Sequence, residues 1–298
     1  MKKKIFLTGA TGKLGSTLTP YLEKKYNLFP VGFKIKPKGG VKIDLTQSIN
    51  VKNILNKINP DIIIHLAAMT NVDYCEENSK KAFDVNYQTT KNMISWINYK
   101  KKECRFIYLS TDQIYDKTGF NKEDNKKAFF ARNNYSKTKF SSEKAVLLAI
   151  KNGVIIRTNF YGFFPNHKDS LINWFLESLK KKKKIKLIKN IFFNPLHVHQ
   201  LCSYILKIIE KEKIKGIINL GAKNKISKGK LLFNISKKLN IKKKFTYENV
   251  ENLNLVAYRP RNMVMCVDKI EKLLNKPMPT ISKGIAELIT NIKQNNVF

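Results

Sequence analysis

The run Thr8-Gly9-Ala10-Thr11-Gly12-Lys13-Leu14-Gly15 stands between a short apolar segment, Ile5-Phe6-Leu7, and a stretch whose leucines recur at helical spacing, Leu14, Leu18 and Leu22. A strand that turns through glycines into a helix is the context a dinucleotide-binding loop needs. Lacking Cβ atoms, Gly9 and Gly12 let the backbone approach a pyrophosphate at the helix N-terminus, and Gly15 lets the helix pack close to the sheet. A P-loop is excluded, because it requires Gly, four residues, then Gly-Lys-Ser/Thr. Here Leu14 follows Lys13, so no hydroxyl is placed for magnesium.

The strand-helix alternation continues along the chain. Strand signals fall at 29–33, 61–66, 105–110 and 154–158, with helical patterns at 51–58, 80–99 and 136–151. This order predicts an α/β chain with a Rossmann-like, doubly wound parallel sheet. Beyond Thr158 the regularity loosens into short elements at 170–179, a strand-like 185–188, a helix at 198–211, a further short element at 217–220 and a helix at 230–239. No repeat or low-complexity linker separates the halves. The expectation is an NAD(P)-binding domain over 1–158 and a smaller, mainly substrate-binding part over 159–298, with a segment near 195–221 returning to the first. Ligands are expected at the carboxyl ends of the strands.

Composition limits the setting. No run approaches the roughly 18 apolar residues of a membrane span, and Met1-Lys2-Lys3-Lys4 passes directly into the first strand without a signal peptide's apolar stretch. A cytoplasmic protein is expected. Cys75, Cys104, Cys202 and Cys266 lack metal-ligand spacing, which points to reduced thiols and no metal site. The net charge of +35 invites a nucleic-acid reading, reinforced by the lysine run at 180–184. Only five of the 57 basic residues are Arg, however, and lysine is spread through every segment beside abundant Asn and Ile. Specific nucleic-acid recognition draws on arginine's planar fork, so the charge reads as an AT-rich coding bias. It would still attract anionic substrates.

Tyr135-Ser136-Lys137-Thr138-Lys139 pairs a phenol with an ammonium one helical turn apart, on one helix face. A cation at that distance favours phenolate over a phenol of ordinary pKa about 10, which suits a general acid. In so lysine-rich a chain the spacing alone also fits a solvated helix face. The glycine loop upstream, the strand end Ser110-Thr111-Asp112, and the order of all three favour the chemical reading.

Taken together, these residues resemble the extended short-chain dehydrogenase/reductases that act on nucleotide sugars. Gly9 to Gly15 is similar to their cofactor loop, Asp44-Leu45 to their adenine contact, His65-Leu66-Ala67-Ala68 to their fourth-strand motif and Val85-Asn86 to their nicotinamide-side element. Leu109-Ser110-Thr111-Asp112, Tyr135 with Lys139, Arg157-Thr158-Asn159-Phe160-Tyr161-Gly162 and Arg259-Pro260 follow in family order. Within that superfamily Ala68-Met69-Thr70-Asn71-Val72-Asp73 resembles the Ala-x-Thr-x-Val-Asp segment of the dTDP-4-dehydrorhamnose reductases. The resemblance implies reduction by NADPH of the 4-keto group of a 4-keto-6-deoxy sugar nucleotide. Thr111 would hydrogen-bond the carbonyl, Tyr135 deliver the proton, and Lys139 bind the nicotinamide ribose and lower the Tyr135 pKa. Cofactor contacts are expected from Gly9, Thr11, Gly12, Lys13, Leu14, Lys34, Asp44, Leu45, Ala67, Ala68, Thr70, Asn86, Ser110, Tyr135 and Lys139. Substrate contacts are expected from Val72, Asp73, Thr111 and Asn159. Taken singly, Asp73 also reads as a helix N-cap, Asn86 as a buried helix side chain and His65 as a core residue.

Dehydratases of the superfamily carry Thr-Asp-Glu where this chain has Thr111-Asp112-Gln113. Glutamine does not titrate, which disfavours dehydration and leaves reduction intact. A 4-epimerase uses the same core residues and stays open, as does an idle relative serving as a binding or regulatory subunit. At the end of the second strand, Gly32-Phe33-Lys34-Ile35-Lys36 has no acid for a ribose hydroxyl and two lysines for a 2′-phosphate. NADPH is therefore favoured, with NADH the alternative. A homodimer is the expected assembly.

Overall fold

A computed structural model describes residues 1–101 and 103–297. Seven strands form one sheet: β1 (Lys4–Thr8), β2 (Asn27–Gly32), β3 (Val41–Lys42), β4 (Ile62–His65), β5 (Arg105–Thr111), β6 (Val154–Thr158) and β7 (Gly216–Leu220). Their order is β7-β6-β5-β4-β1-β2-β3, and every neighbouring pair is parallel. Parallel sheets are covered on both faces, so their strands read as near-continuous apolar runs. Ile5, Leu7, Ile62, Ile64, Ile107 and Ile156 feed one core, while Phe6, Ile63, Phe106, Tyr108 and Ile155, pointing the other way, feed the second. That division is the two-residue period of a strand.

Helices α1 (Lys13–Glu23), α2 (Ser48–Ile58), α3 (Thr89–Tyr99) and α4 (Asn134–Ala149) cross over between strands. Farther on come α5 (Leu171–Lys180), α6 (Val198–Glu210), α7 (Lys228–Lys238) and α8 (Ile281–Gln294). α6 packs on α1, and β7 then runs beside β6 at the sheet edge. The helical pattern at 80–99 is not one regular helix. It is an α-turn at Ser79–Phe83, a wider π-turn at Asp84–Gln88 and then α3. Such π-turns insert a residue without ending the helix and recur at functional sites. The two-residue strand β3 carries no alternating apolar signal, both of its residues being exposed, and for that reason sequence periodicity misses it.

The chain order reverses between β1 and β4, the neighbours at the centre of the sheet. At such a switch point the loops leaving the two strands diverge and open a crevice at their carboxyl ends.

Candidate active site

The crevice is a cleft of about 700 Å³ at the carboxyl ends of β1, β2, β4, β5 and β6. The loop leaving β1 forms its floor. Gly9 has φ +69°, and a Cβ there would lie 2.8 Å from the Ala67 nitrogen, so only glycine lets this turn meet the loop leaving β4. The two loops are tied together by Thr8, whose hydroxyl accepts from Ala67 N–H at 3.1 Å and meets His65 Nδ1 at 2.7 Å. His65 is fully buried and reaches Thr90 Oγ1 through Nε2 at 3.1 Å, so it is a core side chain bonded at both ring nitrogens. Gly12 caps α1 without any side-chain cap bond. A Cβ on Gly12 would meet only the Gly9 oxygen, at 3.2 Å, and otherwise stand in the cleft. On Gly15 it would lie 2.1 Å from that same oxygen, which fixes how closely α1 can pack. An uncapped helix start with an open glycine in front of it fits a dinucleotide's pyrophosphate.

Of the residues singled out from sequence, Gly9, Thr11, Gly12, Lys13, Leu14, Lys34, Asp44 and Leu45 line one side of the cleft, and Ala67, Ala68 and Thr70 its middle. Ser110, Thr111, Tyr135, Lys139 and Asn159 line the other side. The Lys13 ammonium holds Asp169, also in the lining, at 2.7 Å. Three residues lie outside the lining. Asn86, 1% exposed, accepts from Met69 N–H at 2.7 Å and donates to Met69 O at 3.1 Å and Thr138 Oγ1 at 3.0 Å, so it pins the β4 loop from behind. Val72 packs in a small apolar cluster with Cys75, Ala82, Ala257 and the Tyr135 ring. Asp73 accepts from Ala257 N–H at 2.9 Å and pairs with Arg259 at 2.7 Å, whereas the cap of its helix, Val72–Glu77, is Asn71.

The catalytic candidates sit together where β5 and α4 meet. Burial raises the Tyr135 phenol above its ordinary range, and the Thr111 hydroxyl opposes this by hydrogen bonding. The lowering of Tyr135 by Lys139 expected from their spacing is not found, because desolvation dominates in a site this dry. Lys139, 2% exposed, places Nζ 4.1 Å from the centre of the Tyr108 ring. Burial lowers its pKa to about 7 against the opposing pull of Glu143. Glu143 in turn is buried and paired with Arg157 at 2.6 Å, and accepts a hydrogen bond from the Ser110 hydroxyl. Ser110 therefore aims its hydroxyl at Glu143. Asp112, absent from the residues expected to act, is 1% exposed and accepts from Asn159 Nδ2 at 2.9 Å. Burial raises its pKa to about 7. Gln113 lines the cleft and accepts from Asn133 Nδ2 at 3.1 Å. Asn133 also caps α4, a role its place just before the helical pattern could have signalled.

A second pocket, of about 350 Å³, is lined by Trp174, Lys186, Lys228, Leu232, Leu255 and Arg259 among others. Lys228 in this lining lies close enough to Asp112 for its charge to favour the carboxylate, on the side of the cleft where β5 ends. Among the described residues, no group of three or more His, Cys, Asp or Glu side chains could hold a metal ion, and no helix is long and apolar enough to cross a membrane.

A doubly wound sheet that brings a glycine loop to face a Tyr–Lys turn defines the extended short-chain dehydrogenase/reductases. More narrowly, the chain belongs to the family of the RmlD substrate binding domain, whose model matches residues 2–294. A crystal structure of dTDP-4-dehydrorhamnose reductase from Bacillus anthracis str. Ames in complex with NADP superposes with a TM-score of 0.87 at 23% identity, covering 98% of this chain and 100% of that one. The dTDP-D-glucose 4,6-dehydratase of Dictyostelium discoideum is 30% identical over 274 residues, 78% of this chain and 62% of its own length. The chain thus spans less than two thirds of that relative. Methionine adenosyltransferase 2 subunit beta of Pongo abelii is 24% identical over 280 residues, 91% of this chain and 82% of that protein.

Proposed function

We propose that the chain is an NADPH-dependent reductase of the 4-keto group of a 4-keto-6-deoxy sugar nucleotide. The observation that carries this reading is the convergence of Thr111, Tyr135 and Lys139 on one side of a cleft whose other side is the glycine loop. When bound there, NADPH supplies the hydride. Lys34 at the cleft margin suits a 2′-phosphate, and the uncapped start of α1 suits the pyrophosphate. Hydride addition to a carbonyl leaves an alkoxide, which needs a hydrogen bond and then a proton. Thr111 donates the hydrogen bond to the carbonyl oxygen. Tyr135 gives the proton, and the burial that raises its pKa keeps it protonated at neutral pH, as an acid must be. Asn86 and Asp73 act from behind, through Met69 and Arg259. Lys186, Lys228 and Arg259 in the adjoining pocket suit a diphosphate, and Trp174 a base. Gln113 offers no titratable group for dehydration. We place the enzyme in the cytoplasm, as a homodimer.

The likeness to the methionine adenosyltransferase subunit favours a second reading, a binding subunit that keeps an intact cleft. One experiment separates them: 4-keto-6-deoxy sugars carried on dTDP, UDP, GDP and CDP are offered with NADPH, and loss of reduced-nicotinamide absorbance is followed with mass spectrometry of the product. One NADPH consumed per sugar reduced supports the reductase. Isomerised sugar without net NADPH loss identifies an epimerase, and NADPH binding with no turnover on any nucleotide favours the subunit.

A further inference from the structure

Asn133 is fully buried, and its amide joins three separate segments. Its Oδ1 accepts from Ser136 N–H at 2.8 Å and so caps α4, two residues before Tyr135. Its Nδ2 donates to Gln113 Oε1 at 3.1 Å, beside the strand end that carries Thr111, and to the Tyr258 carbonyl at 3.0 Å. Tyr258 precedes Arg259, which lines the second pocket and is fixed by Asp73 and by the Ala257 carbonyl at 2.8 Å. A cap alone needs only an acceptor, and Ser, Thr or Asp supplies that as well as Asn. The donor half of the amide is spent on oxygens from two other segments. One of these leads to the pocket that suits the nucleotide.

We propose that Asn133 is a positioning residue that couples occupancy of the nucleotide pocket to the placement of Tyr135 and Thr111. This rests on the reductase reading above. Binding energy gathered by a remote part of a substrate raises turnover only if it is spent on orienting the reacting groups. The path from Arg259 through the Tyr258 carbonyl and the Asn133 amide to the first turn of α4 is a direct mechanical route for that. Misplacement of a reacting group by about 1 Å costs on the order of 10² in rate.

The test compares wild type with Asn133→Ser, which keeps a capping hydroxyl and loses the reach of the amide donor, on two substrates: the 4-keto sugar nucleotide and the same 4-keto sugar as its 1-phosphate. Wild type should turn over the nucleotide form with a kcat about 10²-fold above the phosphate form. The variant should lose most of that advantage, with kcat falling by a much larger factor on the nucleotide form than on the phosphate form and NADPH affinity unaltered. Asn133→Asp, which keeps the shape and the cap, replaces it should the serine variant not fold. Equal fractional loss on both substrates, or wild-type kcat on the nucleotide form, overturns the coupling. Absence of turnover by the wild type on every nucleotide form would instead remove the reductase reading itself.

Discussion

At the scale of single residues the site is governed by dryness. Tyr135, Lys139 and Asp112 are each less than a tenth exposed, and burial is the largest influence on all three. Replacing Tyr135 by Phe keeps the ring in its cluster and removes the donor. Turnover should fall by roughly 10² to 10⁴ with NADPH affinity nearly unchanged, as steady-state kinetics and calorimetry will measure. Lys139 loses its proton as pH rises through about 7, with Glu143 the group that favours the charged form. Glu143→Gln removes that support and lowers the Lys139 pKa further, so the alkaline limb of the pH profile of kcat/KM should move to lower pH. An unmoved limb would mean that this lysine does not set it. For Asp112 the sign is opposite. Its folded-state pKa of about 7 exceeds the unfolded value, so it contributes stability at low pH that is lost as pH rises toward 7. The melting temperature of Asp112→Asn relative to wild type should therefore climb between pH 4 and pH 7.

At the scale of elements, α4 inverts the usual pattern of a surface helix. Its buried face carries Tyr135, Thr138, Lys139, Ser142 and Glu143, with Val146 the apolar exception. A helix ordinarily buries an apolar stripe, and one that buries hydroxyls and charges does so because each has a partner. Ser142 donates to Asn86 O at 2.9 Å, and Glu143 holds Arg157. This is where sequence reading stops. The strands were legible because Ile62, Ile63 and Ile64 form an unbroken apolar run, and the glycine loop because its spacing is strict. Asn133 was not legible as a member of the site, and Asp112 was legible only as part of the strand end after Thr111, since their partners at Tyr258 and Asn159 lie 125 and 47 positions away in sequence. The spacing of Tyr135 and Lys139 was read correctly as one face of a helix, but the spacing says nothing of desolvation. The π-turn before α3 yields another expectation. Asn86→Ala leaves the Met69 backbone groups without their partners, and unfolding in urea should show a loss of about 1–3 kcal/mol.

At the scale of the whole molecule, charge and topology act together. With a net charge of +35, the protein should draw in an anionic sugar nucleotide faster than a neutral surface would. The value of kcat/KM should fall as sodium chloride is raised, while turnover at saturating substrate stays nearly constant. We propose the division into a cofactor-binding unit at 1–158 and a substrate unit at 159–298, with the segment near 195–221 given back to the first. β7 pairs with β6 across five residues, from Gly216 with Val154 to Leu220 with Thr158. During synthesis, β6 emerges from the ribosome long before the strand that covers its outer side. For the time needed to make residues 159–220, the nascent sheet shows a bare, apolar edge of unpaired backbone groups, the kind that recruits other chains. The last strand of this sheet thus makes the birth of the protein, more than its mature state, the moment when that side of β6 lies most open to pairing with another chain.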